Sequence, residues 1–175
     1  SVCRLLVAGA AVRRIRAELL AAVGSVAVWL QSSTVGPAGV ARIADGIGDA
    51  AFLDAPVLGT RQPAADGKLV VLVSGDAALV ERVQPVLDAI STRTVFVGEQ
   101  IGSASALKLA CNAWIASITA ALGPSIALSS ALGVDPALFL TAVHGGPAHS
   151  PSAQVKAAPM RARHDATSSA GAGVV

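Results

Sequence analysis

Lys108 and Asn112 are the residues of this chain whose types and spacing are best suited to chemistry. They stand four apart in GEQIGSASALKLACN, a glycine-bearing turn leading into a long apolar run, and residues four apart share one face of a helix. An amine and an amide would then project into the same space. A lysine partly withdrawn from water ionises less readily, so it can give or take a proton near neutral pH. The same spacing also fits a solvated lysine and a polar neighbour at the wet end of a buried helix. No cysteine or carboxylate cluster surrounds His144, His149 and His164, and no metal site is expected.

The stretch that would carry the pair runs from Gly98 to Leu132, with Pro124 expected to kink or break the helix. No charged residue occurs between Leu109 and Val134, a length that could span a bilayer. Asn112, Ser117, Thr119, Gly123, Pro124 and three further serines dilute that run, so the expectation is a helix buried inside protein, with no membrane partner. Arginines at positions 13, 14 and 16 follow the first apolar stretch instead of preceding it, unlike a signal peptide.

Upstream, apolar runs at Val2–Val7, Val26–Gln31 and Ala51–Ala55 read as strands, and Ala10–Val23 and Ala38–Ile47 have helical spacing. This alternation predicts a parallel sheet with right-handed crossovers. Ligands then sit at the carboxyl ends of the strands, so the loops near Val7, at Ser32–Pro37 and at Asp54–Pro63 should share one rim. Further on, Asp54–Thr60 reads as a loop, Ala64–Gly67 as a turn, and Leu69–Ser74 as a strand. Asp76 is placed to cap a helix reaching about Ala89, Val95–Val97 is a short strand, and Val134–Val143 is a helix with Pro136 in its first turn.

A length of 175 residues with 53% hydrophobic and 14% charged residues supplies material for a core. A net charge of +2, with aromatics at 3% and no tyrosine, argues against a nucleic-acid partner. Cys3 and Cys111, far apart in apolar runs, fit reduced, buried thiols in a cytoplasmic protein. The tail RARHDATSSAGAGVV, residues 161–175, has no hydrophobic period and reads as disordered.

The succession SSTVGP, DAPVLGTRQPAADGKLVVLVSGD and GEQIGSASALKLACN resembles the β-hydroxyacid dehydrogenase family from about Val2 to about Met160. That family includes 3-hydroxyisobutyrate dehydrogenase, tartronate semialdehyde reductase and glyoxylate or succinic semialdehyde reductases; TRQPAADG resembles the last branch more than the hydroxyisobutyrate one. The resemblance implies an α/β fold: residues 1–98 as the C-terminal half of a Rossmann-type dinucleotide-binding domain, then a long interdomain helix and part of an all-α domain over 99–160. It implies an NAD- or NADP-dependent oxidoreductase that moves a hydride between the nicotinamide and a small hydroxy acid or aldehyde. Lys108 would be the acid-base group, and Asn112 with Leu58, Gly59 and Thr60 would bind substrate. Leu6, Val7 and Thr34 would line the cofactor, and the helical region would pair subunits into a homo-oligomer.

Departures from the family pattern accompany the resemblance. The substrate loop is Leu-Gly-Thr where many members have Ser-Gly-Gly, and Ala104 replaces the second glycine of the Gly-x-Gly-x-x-x-Lys motif, where a methyl group would crowd whatever approaches. Nothing in Ser1–Val35 matches a Gly-x-Gly-x-x-Gly turn, the usual anchor of the pyrophosphate. A second expectation follows from that: a truncated, inactive remnant serving as a protein-interaction domain.

Overall fold

The run AFLD at Ala51–Asp54 decides the architecture, because Phe52 and Leu53 are successive buried residues of a strand and leave it on opposite faces. Both faces of the sheet must therefore be covered. The computed structural model describes residues 28–46 and 51–161. Its elements begin with β1 (Val28–Gln31), α1 (Gly36–Asp45), β2 (Ala51–Asp54), β3 (Val57–Leu58), α2 (Arg61–Ala65) and β4 (Leu69–Ser74). They continue with α3 (Ala77–Ile90), β5 (Ser91–Gly98), α4 (Ser103–Ala131), α5 (Pro136–Val143) and α6 (Pro151–Arg161). The strand and helix expected at Val2–Val7 and Ala10–Val23, and the tail after residue 161, lie outside the described residues.

Helix α1 covers the Phe52 face with Val40 and Ile43, three residues apart on one side of the helix. On the other face Leu53, Val71 and Val73 meet Val80, Val83 and Leu87 of α3, spaced as one helical stripe. Full burial of each such side chain contributes about 1.5–3 kcal/mol, so the two helices fix the plane of the sheet. Asp76 caps α3 as expected, its carboxylate accepting the Ala78 and Leu79 N–H groups at 2.7 and 3.4 Å.

The sheet is mixed, not wholly parallel. β1 and β2 run parallel, with Gln31 opposite Asp54, and β4 and β5 run parallel, with Ser74 opposite Gly98. The two pairs point in opposite directions, because Asp54 faces Ser74, Val57 faces Val71 and Leu58 faces Val70 in one antiparallel register. The stretch Ala51–Leu58 is thus extended throughout: its first half pairs with β1 and its second half with β4. The expected loop at Asp54–Thr60 therefore contains β3, and Arg61–Ala65 forms a short helix ahead of the turn. β5 is also longer than the expected Val95–Val97; it pairs with β4 at the side of the sheet, and its exposed Thr92 and Arg93 hide the strand from an apolar count.

The chain divides into two compact units, Ser1–Cys111 and Asn112–Val175, and the division falls within α4. Pro124 does not break this helix, which continues to Ala131 with the Ser125 and Ser129 hydroxyls donating to the Ala121 and Ser125 carbonyls. Nor is α4 the buried helix expected. Only 6% of its most apolar window is buried, and Trp114 and Leu132 are 69% and 71% exposed. By length and composition alone it could cross a membrane. The second unit has a thin core among its described residues: Leu122 and Ala157 are its buried apolar side chains, and Lys156 Nζ donates to Thr119 Oγ1 at 2.9 Å. α5 follows the expected bounds closely, capped by Asp135 at the Ala137 N–H, 2.8 Å.

Replacing Asp76 by alanine should lower the unfolding free energy by about 1 kcal/mol, read as a shift of the urea midpoint. An unmoved midpoint would mean that α3 does not depend on this cap.

Candidate active site at the start of the long helix

Helix α4 begins without a capping side chain of its own and borrows its acceptors from the sheet. The Ser103 N–H reaches the Gln100 carbonyl at 3.2 Å, and the Ala104 N–H donates to Ser74 Oγ at 3.1 Å. The Ser105 N–H donates to Asp54 Oδ2 at 2.8 Å, and the Ser105 hydroxyl donates to Asp54 Oδ1 at the same distance. The Ser74 hydroxyl completes the cluster with a long 3.5 Å bond to Asp54 Oδ2. Groups that a helix ordinarily leaves unpaired at its start are therefore satisfied by two strands.

Asp54 is fully buried, and its carboxyl is pushed above the ordinary carboxylate range by desolvation. Hydrogen bonds from the Ser105 hydroxyl and N–H, from Ser74 and from the Gly102 backbone work in the opposite direction. Gly102, at φ +95°, supplies the left-handed turn that brings the chain from β5 into α4. Ala104, expected to crowd an approaching group, is completely buried, so its methyl meets the protein interior.

Lys108 lies one turn beyond this cluster. It is half-buried, and desolvation lowers its pKa from the ordinary lysine value, partly opposed by the nearby Cys111 thiol. Cys111 itself is half-buried and free, not the buried thiol expected, while Cys3 is outside the described residues. Asn112 is exposed, four residues after Lys108 in the same helix.

Thr34 is exposed on the loop that leaves β1, beside Ser33, whose buried hydroxyl has no hydrogen-bond partner among the described residues. Leu58, Gly59 and Thr60 follow Asp54 along the extended run, and the parallel register carries them on the order of 10 Å past the end of β1. The Ser32–Pro37 loop and this run both start from the paired strand ends Gln31 and Asp54, while the third expected rim loop, near Val7, is outside the described residues. Gly59 has φ +142°, and a Cβ there would lie 2.5 Å from Leu69 Cδ2, so a side chain would strain the backbone and push the Leu69 side chain aside. Leu6 and Val7 are outside the described residues. Sequence reasoning missed Asp54, Ser74 and Ser105; the available signal was a lone acid closing the apolar strand AFLD just before Pro56.

The profile of the NAD binding domain of 6-phosphogluconate dehydrogenase matches residues 1–98. The chain belongs to the β-hydroxyacid dehydrogenase family. It is 35% identical to glyoxylate/succinic semialdehyde reductase 2, chloroplastic, of Arabidopsis thaliana over 134 residues, covering 75% of the chain and 37% of that protein. It is 33% identical to 2-hydroxy-3-oxopropionate reductase of Escherichia coli strain K12, covering 54% of the chain and 32% of that protein. A 3-hydroxyisobutyrate dehydrogenase from Salmonella typhimurium superposes with a TM-score of 0.77 at 25% identity, over 88% of the chain and 55% of that structure. One from Mycobacterium tuberculosis gives 0.78 at 24% identity, over 87% of the chain and 53% of that structure, a likeness of fold alone. The chain spans about a third of the length of these two curated relatives. The Rossmann-type α/β class and the nicotinamide cofactor expected from the sequence, NAD or NADP, are those of this β-hydroxyacid dehydrogenase assignment.

The raised pKa of Asp54 fixes the sign of a stability effect. Unfolded, the carboxyl titrates near 3.8; folded, it holds its proton to higher pH. Its contribution is therefore complete below 3.8 and is lost as pH rises through the folded value. Relative to Asp54→Asn, the unmodified chain should lose stability as pH climbs above 3.8 and then level off, measured by urea unfolding across a pH series. Parallel curves for the two proteins would remove Asp54 from the acid titration.

Proposed function

We propose that this chain carries part of the active site of an NAD- or NADP-dependent oxidoreductase acting on a small 3-hydroxy acid or semialdehyde. The observation that carries the reading is Lys108: an amine with a lowered pKa, on a helix anchored to the last residues of β2 and β4 in a dinucleotide-binding sheet. A bound nicotinamide would supply or take the hydride at the substrate carbon. In reduction, the Lys108 ammonium gives its proton to the aldehyde oxygen; in oxidation, the neutral amine takes the hydroxyl proton. Desolvation enlarges the neutral fraction at a given pH, which favours the second direction.

The cofactor fits the residues present. Helix α1 has Val35 at its N-cap with no side-chain cap bond, and Pro37 sits in its first turn. With no side chain capping it, the start of α1 beside Thr34 keeps backbone N–H groups for a ligand, while the Ser33 hydroxyl is buried with no hydrogen-bond partner among the described residues. Thr34 is the proposed contact to the nicotinamide end. Leu6 and Val7, carried by the family resemblance, would complete that wall. Leu58, Gly59 and Thr60 would hold the substrate with Asn112, and Gly59 would present its backbone without a side chain in the way. The domain boundaries at residue 98 and residue 160 belong to the same proposal.

The exposed apolar side chains Trp114, Leu128 and Leu132 favour pairing of the helical region with a second copy of the chain. Light scattering on the purified chain checks this; a monomer at all concentrations would overturn it. Neither a membrane nor nucleic acid is part of the reading, and the free Cys111 thiol suits a reducing cytoplasm.

Titration with NADH and NADPH, followed through the emission of Trp29 and Trp114, tests the cofactor directly. Saturable binding in the micromolar range is expected; none at millimolar cofactor would leave the interaction-domain reading in its place. With a hydroxy acid that is turned over, the rate of oxidation should rise with pH through a midpoint below 10.5, and Lys108→Ala should lose turnover while keeping cofactor affinity. An undiminished rate in that variant would remove Lys108 from the mechanism.

A further inference from the structure

Whatever holds the first turn of α4 also sets the height of the turn above it. Ala104 and Ser105 precede Lys108 by four and three residues, the two spacings that lie along one face of a helix. Helical side chains lean toward the N-terminus, so the lysine stem returns over the turn that Asp54 and Ser74 hold. Exposure agrees with this: Lys108 is half-buried, whereas Ala106, Leu109 and Ala110 around it are exposed. The bonds that hold the turn are long-range ones. Ser105 is 51 residues from Asp54, and Ala104 is 30 residues from Ser74. Both acceptors stand at strand ends that face each other in the sheet register. A helix start tied in this way cannot slide or rotate without leaving buried donors and a buried carboxylate unpaired.

We propose that Asp54 and Ser74 are positioning residues for Lys108, fixing the depth and rotation of the first turn of α4 and through it the place of the amine. The inference rests on the reading of Lys108 as the acid-base group. The effect is mechanical: the hydrogen bonds of the two residues end on Ala104 and Ser105, one turn short of the lysine. Loss of either acceptor lets the turn lift from the strands, and the amine gains water.

Competitive labelling of lysines with acetic anhydride over a pH series, read by mass spectrometry, reports the titration of each amine in the folded chain without any turnover. Exposed Lys68 serves as an internal reference. In the unmodified chain the Lys108 midpoint should lie below the ordinary lysine value, and in Asp54→Asn and Ser74→Ala it should move up toward it. Val83→Ala, which opens a cavity in the α3 core, should leave the Lys108 midpoint where it was despite its loss of stability. The inference is overturned if Asp54→Asn or Ser74→Ala folds with an unmoved midpoint, or if Val83→Ala moves it as far. Should Asp54→Asn not fold, Ser74→Ala decides alone, because it leaves both Ser105 bonds in place. Turnover abolished by Lys108→Ala with a midpoint indifferent to Asp54 and Ser74 would sink this inference only. A midpoint that follows Asp54 in a chain whose turnover ignores Lys108 would sink the catalytic reading and leave the positioning intact.

Discussion

A single buried carboxylate joins the parts of the first unit. Asp54 is the last residue of β2, faces Gln31 in one ladder and Ser74 in the other, and accepts both the N–H and the hydroxyl of Ser105. Burying an acid is costly unless its lone pairs are met, and here charge-assisted bonds meet them. The place where the sheet changes partner and direction is therefore also the place where the long helix begins. Were Asp54 apolar, the strands could still pack through Leu53, Val71 and Val73, but the Ser105 N–H and hydroxyl at the start of α4 would lose their acceptor.

Much of this was legible in the sequence because it follows from local rules. The stripe Val80, Val83, Leu87 behind Asp76 and the helix opening at Pro136 behind Asp135 are each written in a few adjacent residues. The helical setting of Lys108 and Asn112 was legible as well, since both fall inside α4. What stayed hidden depends on distant partners. β3 is two residues long and exists because β4 lies beside it, and the role of Asp54 depends on residues 20 and 51 positions away. The burial of α4 was misjudged for a related reason: apolar composition says that a helix face prefers cover, not that cover is present.

The departures from the family pattern divide along the same line. Ala104 falls inside the anchored turn, where its methyl is buried and compatible with the bond from its N–H to Ser74. The Leu-Gly-Thr sequence falls on the projecting run beyond Asp54, where Gly59 and Thr60 are exposed and free of the anchor.

That projecting run has a consequence for how such a scaffold diversifies. Leu58–Thr60 and α2 hang as an excursion whose two ends are stitched to β4, by Pro56 to Leu72 on one side and by the entry at Leu69 on the other. The groups that seat the helix lie at its root, and the groups that would read a substrate lie at its tip. On the proposed reading, a change of residue at Gly59 or Thr60 would leave the bonds that seat the start of α4 untouched.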